Sequence, residues 1–277
     1  MTMTVDIIKA AAIRVALAIF LEANAKIEKV KSLIPIEKKL EKEMQAIFGK
    51  QGRIFLKEME RYRNRFVESL SQDDLERIMA SVSVSTNSEM TQAIEVAGGE
   101  AIMASANHRI ADVGFDVAFD LKNPRAVNYL SQNAAFRVTQ IDETTRSRIA
   151  TIVTQGVDEG WSYDRMAIEI GDRFKEFRIG RPQLHIRSRA HLVAVTESAN
   201  AYEAGNLMVV DIMVEQGLMM EKKWLTVGDD LVSDECDANE AQGWIVSDTV
   251  HMSGHMHPPR FPGCRCDELY RRIAREE

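Results

Sequence analysis

The sequence predicts a mainly α-helical protein with a small α+β unit near its C-terminal end. Aromatic residues make up only 6% of the chain, and its 15 glycines and 6 prolines are few for 277 residues, which favours long helices. Stretches rich in Ala, Leu, Ile, Glu, Lys and Arg carry apolar residues at helical spacing. Short strand-like stretches lie near residues 219–224 and 243–246. We therefore predict a helical N-terminal arm, followed by a helical domain capped by a short β-hairpin and a cysteine-rich segment.

The N-terminal arm, residues 1–85, is predicted to be helical and to dock on a larger assembly. Pro35 and the pair Gly49 and Gly52 are typical helix breakers, and they divide it into three helices. These helices cover about 4–31, 36–49 and 52–69. Charged residues interrupt the apolar run near the start, so it is expected to be an amphipathic helix rather than a signal peptide. No stretch approaches the ~20 apolar residues that a membrane span needs, so no membrane partner is expected.

A domain boundary is predicted near residues 81–88, where the small polar sequence SVSVSTNS suits a linker or a short strand. The second domain, residues 86–277, begins with a helix that Gly98 and Gly99 are expected to split. Asn123-Pro124 is a turn signal before a further helix, and Asp142 to Thr145 are predicted to start a new unit. Three more helical segments follow. The first starts at about residue 146 and ends near Gly156 or Gly160, the second covers 163–177 and is capped by Ser162, and the third is a long helix that ends near Gly217. Residues after Cys266 are predicted to form one or two final helical turns.

The segment from Trp224 to Cys266 contains every cysteine of the chain. Cys264 and Cys266 are too close in sequence for a good disulfide and better placed for thiolate ligation, which favours a reducing compartment. With Cys236 and an imidazole from His255 or His257, they would make a Cys3His set of the kind that holds structural zinc. We choose His257 as the fourth ligand. The alternative is three free cysteines that behave as small apolar residues.

Glu197 lies in an otherwise apolar helical stretch, two helical turns after Arg189 and on about the same face. A buried carboxylate must be paired. The favoured interpretation is therefore structural, an internal ion pair with Arg187, Arg189 or a residue of another helix. The alternative is a general base in a metal-dependent hydrolase or nuclease that uses the cysteines and a histidine. Common enzyme motifs such as Gly-x-Ser-x-Gly and the phosphate-binding loop are absent from the sequence.

The densest basic run is GDRFKEFRIGRPQLHIRSR. The net charge of −7 argues against a broadly DNA-coating surface, but a local patch can still neutralise several phosphates. A DNA-binding role is therefore a second alternative, beside the interpretation that this run is a solvated helix end. Its candidate nucleic-acid contacts are Arg173, Lys175, Arg178, Arg181, Arg187 and Arg189.

The chain from about Asn123 to Cys266 resembles the phage Mu F-like minor head proteins, also called phage head morphogenesis proteins. An ordered set of short motifs carries the resemblance, and it spans a little over half of the chain. The motifs are Asp142-Glu143-Thr144-Thr145, Gly160-Trp161-Ser162, Arg189-Ala190, Thr196-Glu197 with Asn206, Lys223-Trp224-x-Thr226 with Asp230, Pro258-Pro259 and Cys264-Arg265-Cys266. Two family features differ, because Ser233 stands where many members have a first cysteine and Phe261 where many have a histidine.

The resemblance implies a structural virion protein without catalytic activity, attached to the portal at one capsid vertex after assembly in the host cytoplasm. Its implied partners are the portal protein, the major capsid or scaffolding protein, and packaged DNA. Zinc is the one cofactor to consider, and the two departures weaken a metal site carried over from the family. Trp224, Glu197 and Arg189 are expected to have structural roles.

Overall fold

A computed structural model of the chain describes residues 2–63, 72–113, 118–180 and 185–273. Over these ranges the protein has six α-helices and one small antiparallel sheet, which confirms the predicted mainly α class. The helices are α1 (Thr2–Glu60), α2 (Gln72–Val113), α3 (Pro124–Asp158), α4 (Tyr163–Ile179), α5 (Arg189–Glu215) and α6 (Asp234–Ala241). The strands are β1 (Met220–Leu225), β2 (Ile245–Val246) and β3 (Asp267–Arg272).

Helix α1 is continuous, so the prediction of three helices in this region was wrong. Pro35 is exposed, while Leu33 and Ile36 beside it are buried, so packing of the opposite face keeps the helix going past the proline. Gly52 allows a close approach instead of a break, because a Cβ there would lie 2.9 Å from Cβ of Phe174 in α4. Both departures show tertiary packing outweighing local helix-breaking tendency.

The predicted linker at residues 81–88 is also wrong, since it forms part of α2. Val82 and Thr86 are fully buried there. The Thr86 hydroxyl donates to the carbonyl of Val82 at 2.9 Å and accepts from Nε2 of Gln51 at 3.1 Å. The polar residues of 81–88 suggest a loop when the sequence is read alone. In the structure, the hydroxyl of Thr86 is satisfied by a bond within α2 and by a bond from α1, so the segment can be a buried part of a helix. Gly98 and Gly99 do not split the helix either.

The predicted helix starts at Asn123-Pro124 and Ser162 are correct. The side chain of Asn123 accepts from the amide of Arg125 at 3.0 Å, and Pro124 is the first residue of α3. Ser162 caps α4 by accepting from the amide of Arg165 at 3.3 Å. Helix α3 runs on through Asp142 without a new start, so the expected unit boundary there was wrong.

The three strands form one sheet in the order β2-β1-β3, with antiparallel neighbours. Strand β3 replaces the helical turns predicted after Cys266. It pairs with β1 along its whole length, from Met220 opposite Arg272 to Leu225 opposite Asp267. The charged residues of this stretch suit a helix locally, but backbone bonding to β1 decides its conformation.

The chain divides into two compact units. Unit 1 contains residues 1–35, 101–120 and 199–277, and unit 2 contains residues 36–100 and 121–198. The predicted arm, residues 1–85, coincides with neither unit, because α1 contributes residues to both.

Each unit has its own apolar core. In unit 1 the core packs α2 and α5 against the sheet, and its fully buried members include Val209, Met213 and Met220. In unit 2 aromatic rings of α1 and α4 meet: Phe48 and Phe177 have centroids 5.7 Å apart, and Phe174 and Phe177 5.6 Å apart. No helix in the described part of the chain is both long and apolar enough to cross a bilayer.

Candidate functional site

The three cysteines come together in unit 1. Cys236 lies in the first turn of α6, where its amide bonds to the cap residue Ser233, and Cys264 and Cys266 lie just before β3. All three side chains are buried, and their sulfur atoms lie within 4.8 Å of one another. Segments more than 25 residues apart in sequence are thus folded into one thiol cluster.

The surroundings of the thiol cluster are apolar. The fully buried indole of Trp224 in β1 packs against it, with Val232 and Phe261 at its edge. Phe261 therefore contributes an apolar ring beside the thiols rather than a metal ligand. Trp224 is thus packed against the thiols, and its structural role stays a prediction.

Two of the thiols are coupled through a hydrogen bond. The bond from Cys266 lowers the pKa of Cys264 to about 5, although burial acts in the opposite direction. The same bond, together with burial, raises the pKa of Cys266. The opposite directions mark Cys264 as the thiol of the pair that loses its proton more readily, and the deprotonated form of cysteine is the one that binds a metal ion.

The donor set fits three corners of a tetrahedral thiolate site. At a zinc–sulfur distance of about 2.3 Å, ligating sulfurs stand about 3.8 Å apart, so the cluster needs only a small contraction. His257 is not among the residues that the structure places with the thiols. Its Nδ1 lies 2.6 Å from the carbonyl oxygen of Pro258. The described residues thus bring three ligands together, and the fourth remains a prediction.

A buried charge cluster, which sequence reasoning missed, lies in the same unit. It consists of Lys29 of α1, Glu203 of α5 and Asp267 of β3, each less than a tenth exposed. Nζ of Lys29 donates to Glu203, to Asp267 at 3.1 Å and to the carbonyl of Cys266 at 2.8 Å. Sequence could not reveal the cluster because Lys29 is 174 residues from Glu203 and 238 from Asp267.

The two carboxyl groups of the charge cluster have pKa values shifted in opposite directions. Burial would lower the pKa of Lys29, but Asp267 and Glu203 outweigh it and raise that pKa. Burial raises the pKa of Glu203 well above its usual range, whereas Lys29 holds the pKa of Asp267 low despite burial. Lys29 thus neutralises the carboxylate of Asp267, and Glu203 keeps its proton to a higher pH than Asp267 does.

A second buried pair adjoins β3. Nε2 of His251 lies 2.9 Å from Oε1 of Glu268, and both side chains are fully buried. Burial lowers the pKa of His251 to about 4 and raises the pKa of Glu268 to about 9. Burial therefore favours the uncharged form of both groups.

The predicted basic run does not form a row of free cations. Arg189 is buried, where its guanidinium donates to Thr145 and to the carbonyl of Ile141, both at 2.8 Å, and lies over the ring of Phe177. Arg173 pairs with Glu176 and Arg187 with Glu41, each at 2.6 Å. Lys175 and Arg178 are exposed, and Arg181 lies outside the described residues. DNA contact through this run stays a prediction.

Glu197 is buried in unit 2, and Arg137 of α3 lies beside it, with Nε 3.3 Å from Oε2. The ion pair is thus made with another helix, and Arg189 has the separate partners described above. Burial lowers the pKa of Arg189 to about 10, which leaves it charged at neutral pH. Both side chains hold helices of unit 2 together.

Comparison with known protein families gives a match over part of the chain. Residues 147–269 match the family described as Phage Mu protein F like protein, which confirms the resemblance predicted from the sequence. The matched range includes α4, α5, the thiol cluster and part of β3. The chain has no significant match among curated proteins or among solved structures.

Proposed function

We propose, from the match of residues 147–269 to the Phage Mu protein F like family, that this chain is a structural minor head protein of a tailed phage. The match suggests head morphogenesis and a virion protein that contacts other head components. Within that role, we place it at the portal vertex inside the capsid, where it acts in head assembly. Its partners would be the portal protein, the major capsid or scaffolding protein, and packaged DNA.

An exposed apolar face on α1 supports docking. Phe20 is 65% exposed and Ile27 50% exposed, and they stand two helical turns apart on one side of the helix. Other exposed apolar side chains of this part of α1 are Leu17, Ile19, Val30 and Ile34. Contiguous exposed apolar surface of this kind marks interaction sites.

The hydrolase alternative gains no comparable support. Glu197, its candidate base, is buried, and Nε of Arg137 lies 3.3 Å from its Oε2, which is the arrangement of a structural ion pair. The function best supported is therefore assembly rather than catalysis.

The proposed function is tested by co-expression with the portal protein of the same phage. We expect the chain to co-sediment with portal rings, and Phe20→Glu combined with Ile27→Glu to reduce its retention at least about tenfold, because charge would be buried in an apolar contact. The measurement is the amount of chain in the ring fraction of a density gradient.

Ile168→Glu is the matched control, since Ile168 is an apolar residue of α4 with 62% exposure. It should leave retention unchanged. Absence of the wild-type chain from portal, capsid and scaffold fractions would overturn the proposed function. Equal retention of the α1 variant would overturn only the assignment of the docking face.

The thiol cluster is proposed to hold zinc as a structural tether between α6 and β3. Elemental analysis of protein purified from zinc-containing medium should find about one zinc per chain. Cys236→Ser should remove the metal and lower the melting temperature by several degrees, because metal binding contributes folding free energy. Asp237→Asn, a change in the same turn of α6, should do neither. Metal-free wild-type protein that melts at the same temperature as the zinc-treated protein would refute the proposal.

A further inference from the structure

The charge cluster of Lys29, Glu203 and Asp267 contains the two reactants of an amide bond. Nζ of Lys29 lies 3.1 Å from Oδ1 of Asp267, and each of the three side chains is less than a tenth exposed. Folding thus holds a primary amine and a carboxyl group in contact and away from bulk water. Groups fixed in this way react at effective concentrations on the order of 10⁵ M or more, because folding has already brought them together.

Asp267 is the carboxyl group that is better placed to be attacked. Its Oδ1 accepts from the backbone amide of Glu268 at 2.9 Å as well as from Lys29. A donor at this oxygen stabilises the negative charge that develops there when a nitrogen attacks the carboxyl carbon. The donor belongs to the backbone of β3, so it is in place before any reaction begins.

Glu203 contacts both reactants. Its Oε1 accepts from Nζ of Lys29, and a hydrogen bond joins its carboxyl group to that of Asp267. Its Oε2 accepts from Nδ2 of Asn206 at 3.1 Å, which orients the group. A carboxyl group that touches both the donor and the acceptor of a proton can carry that proton between them.

We propose that Lys29 and Asp267 form an intramolecular amide bond, with Glu203 as the catalytic acid and base. The bond would join α1 to β3 within unit 1. This activity goes beyond the proposed function and does not depend on it.

The steps conserve atoms and charge. At rest Lys29 is an ammonium group, Asp267 a carboxylate and Glu203 a carboxylic acid. Glu203 gives its proton to Asp267 and takes one from Lys29, which leaves an amine beside a carboxylic acid. Nζ then attacks Cγ of Asp267 and forms the carbon–nitrogen bond. Glu203 protonates the leaving hydroxyl and accepts a proton from the nitrogen, so one water molecule leaves and Glu203 is restored.

The test is intact-mass spectrometry of the full chain, incubated in its folded state and denatured for measurement. We expect a species lighter than the sequence mass by one water molecule, and its share should rise during incubation because the ion pair forms first. Trypsin does not cleave after an amidated lysine. Digestion should therefore give a branched peptide that joins residues 27–31 to residues 266–271.

Glu203→Gln keeps the size of the side chain and an acceptor for Lys29 but cannot carry the proton, so it should slow bond formation by about a hundredfold. Glu203→Asp keeps a carboxyl group and should retain part of the rate, which separates proton transfer from packing. Lys29→Met should keep its full sequence mass. Glu28→Gln is the matched control, since Glu28 adjoins Lys29 but pairs with Lys31 on the surface, and it should match wild type.

Three results would overturn the proposal. The first is wild-type protein that keeps its full mass throughout the incubation. The second is loss of water without the branched peptide, which would indicate that an aspartate has cyclised onto its own backbone. The third is a branched peptide that contains Glu203 in place of Asp267. Equal rates for wild type and Glu203→Gln would contradict the catalytic role of Glu203.

Discussion

Replacing Lys29 with methionine is expected to lower the free energy of unfolding by about 3–5 kcal/mol, the cost of breaking a buried ion pair by removing one partner. Methionine keeps the length and most of the volume of lysine, so packing changes little. The loss arises because Asp267 and Glu203, both buried, would remain without their cation. Urea denaturation followed by far-ultraviolet circular dichroism measures the change.

Lys31→Met is the control for this prediction. Lys31 lies in the same helix, is 67% exposed and pairs with Glu28 on the surface. Such pairs contribute about 0–1 kcal/mol, so this variant should unfold close to wild type. Equal stability of the Lys29 and Lys31 variants would mean that the charge cluster contributes little, contrary to the burial and contacts described above.

Gly205→Ala is expected to destabilise the protein by about 1–3 kcal/mol, the usual range for inserting a methyl group into a packed contact. A Cβ at this position of α5 would lie 2.1 Å from the hydroxyl oxygen of Ser105 and 2.7 Å from the carbonyl oxygen of Ile102 in α2. The serine can rotate away, but the backbone of α2 can yield only if the helices separate. The thermal unfolding midpoint reports the change.

Gly171→Ala is the matched control, because Gly171 is also in a helix but a Cβ there would meet only Leu56, at 3.6 Å. Alanine is the better helix former by about 0.5–1 kcal/mol, so this variant should be more stable than wild type. A stabilising Gly205→Ala would show that α2 and α5 do not approach as closely as described.

Features set by neighbouring residues could be predicted from the sequence. The caps at Asn123 and Ser162 depend on a side chain and an amide within three residues. The strands near Trp224 and Val246 follow from short stretches that contain apolar residues and come directly after turn glycines, Gly217 and Gly243. The three cysteines were expected to converge because their residue type and positions within one segment indicated shared ligation.

Features that depend on distant partners could not be predicted. Pro35 and Gly52 look like breaks when read locally, and only burial of neighbouring residues and contact with Phe174 keep α1 continuous. Strand β3 needs β1 as a template. From the sequence, Arg189 looks like a free cation in a basic run. In the structure it is buried, because its guanidinium donates to Thr145 and packs over two aromatic rings.

The division of the chain has a consequence for its synthesis. Residues 1–35 leave the ribosome first, but their partners in unit 1 lie in residues 101–120 and 199–277. At about 5–20 residues per second, Lys29 waits roughly 10–50 s for Asp267 to be made. Unit 2 can complete its core during that interval, because all of its residues precede 199. The apolar face of α1 is thus available to a chaperone or an assembly partner before unit 1 can form.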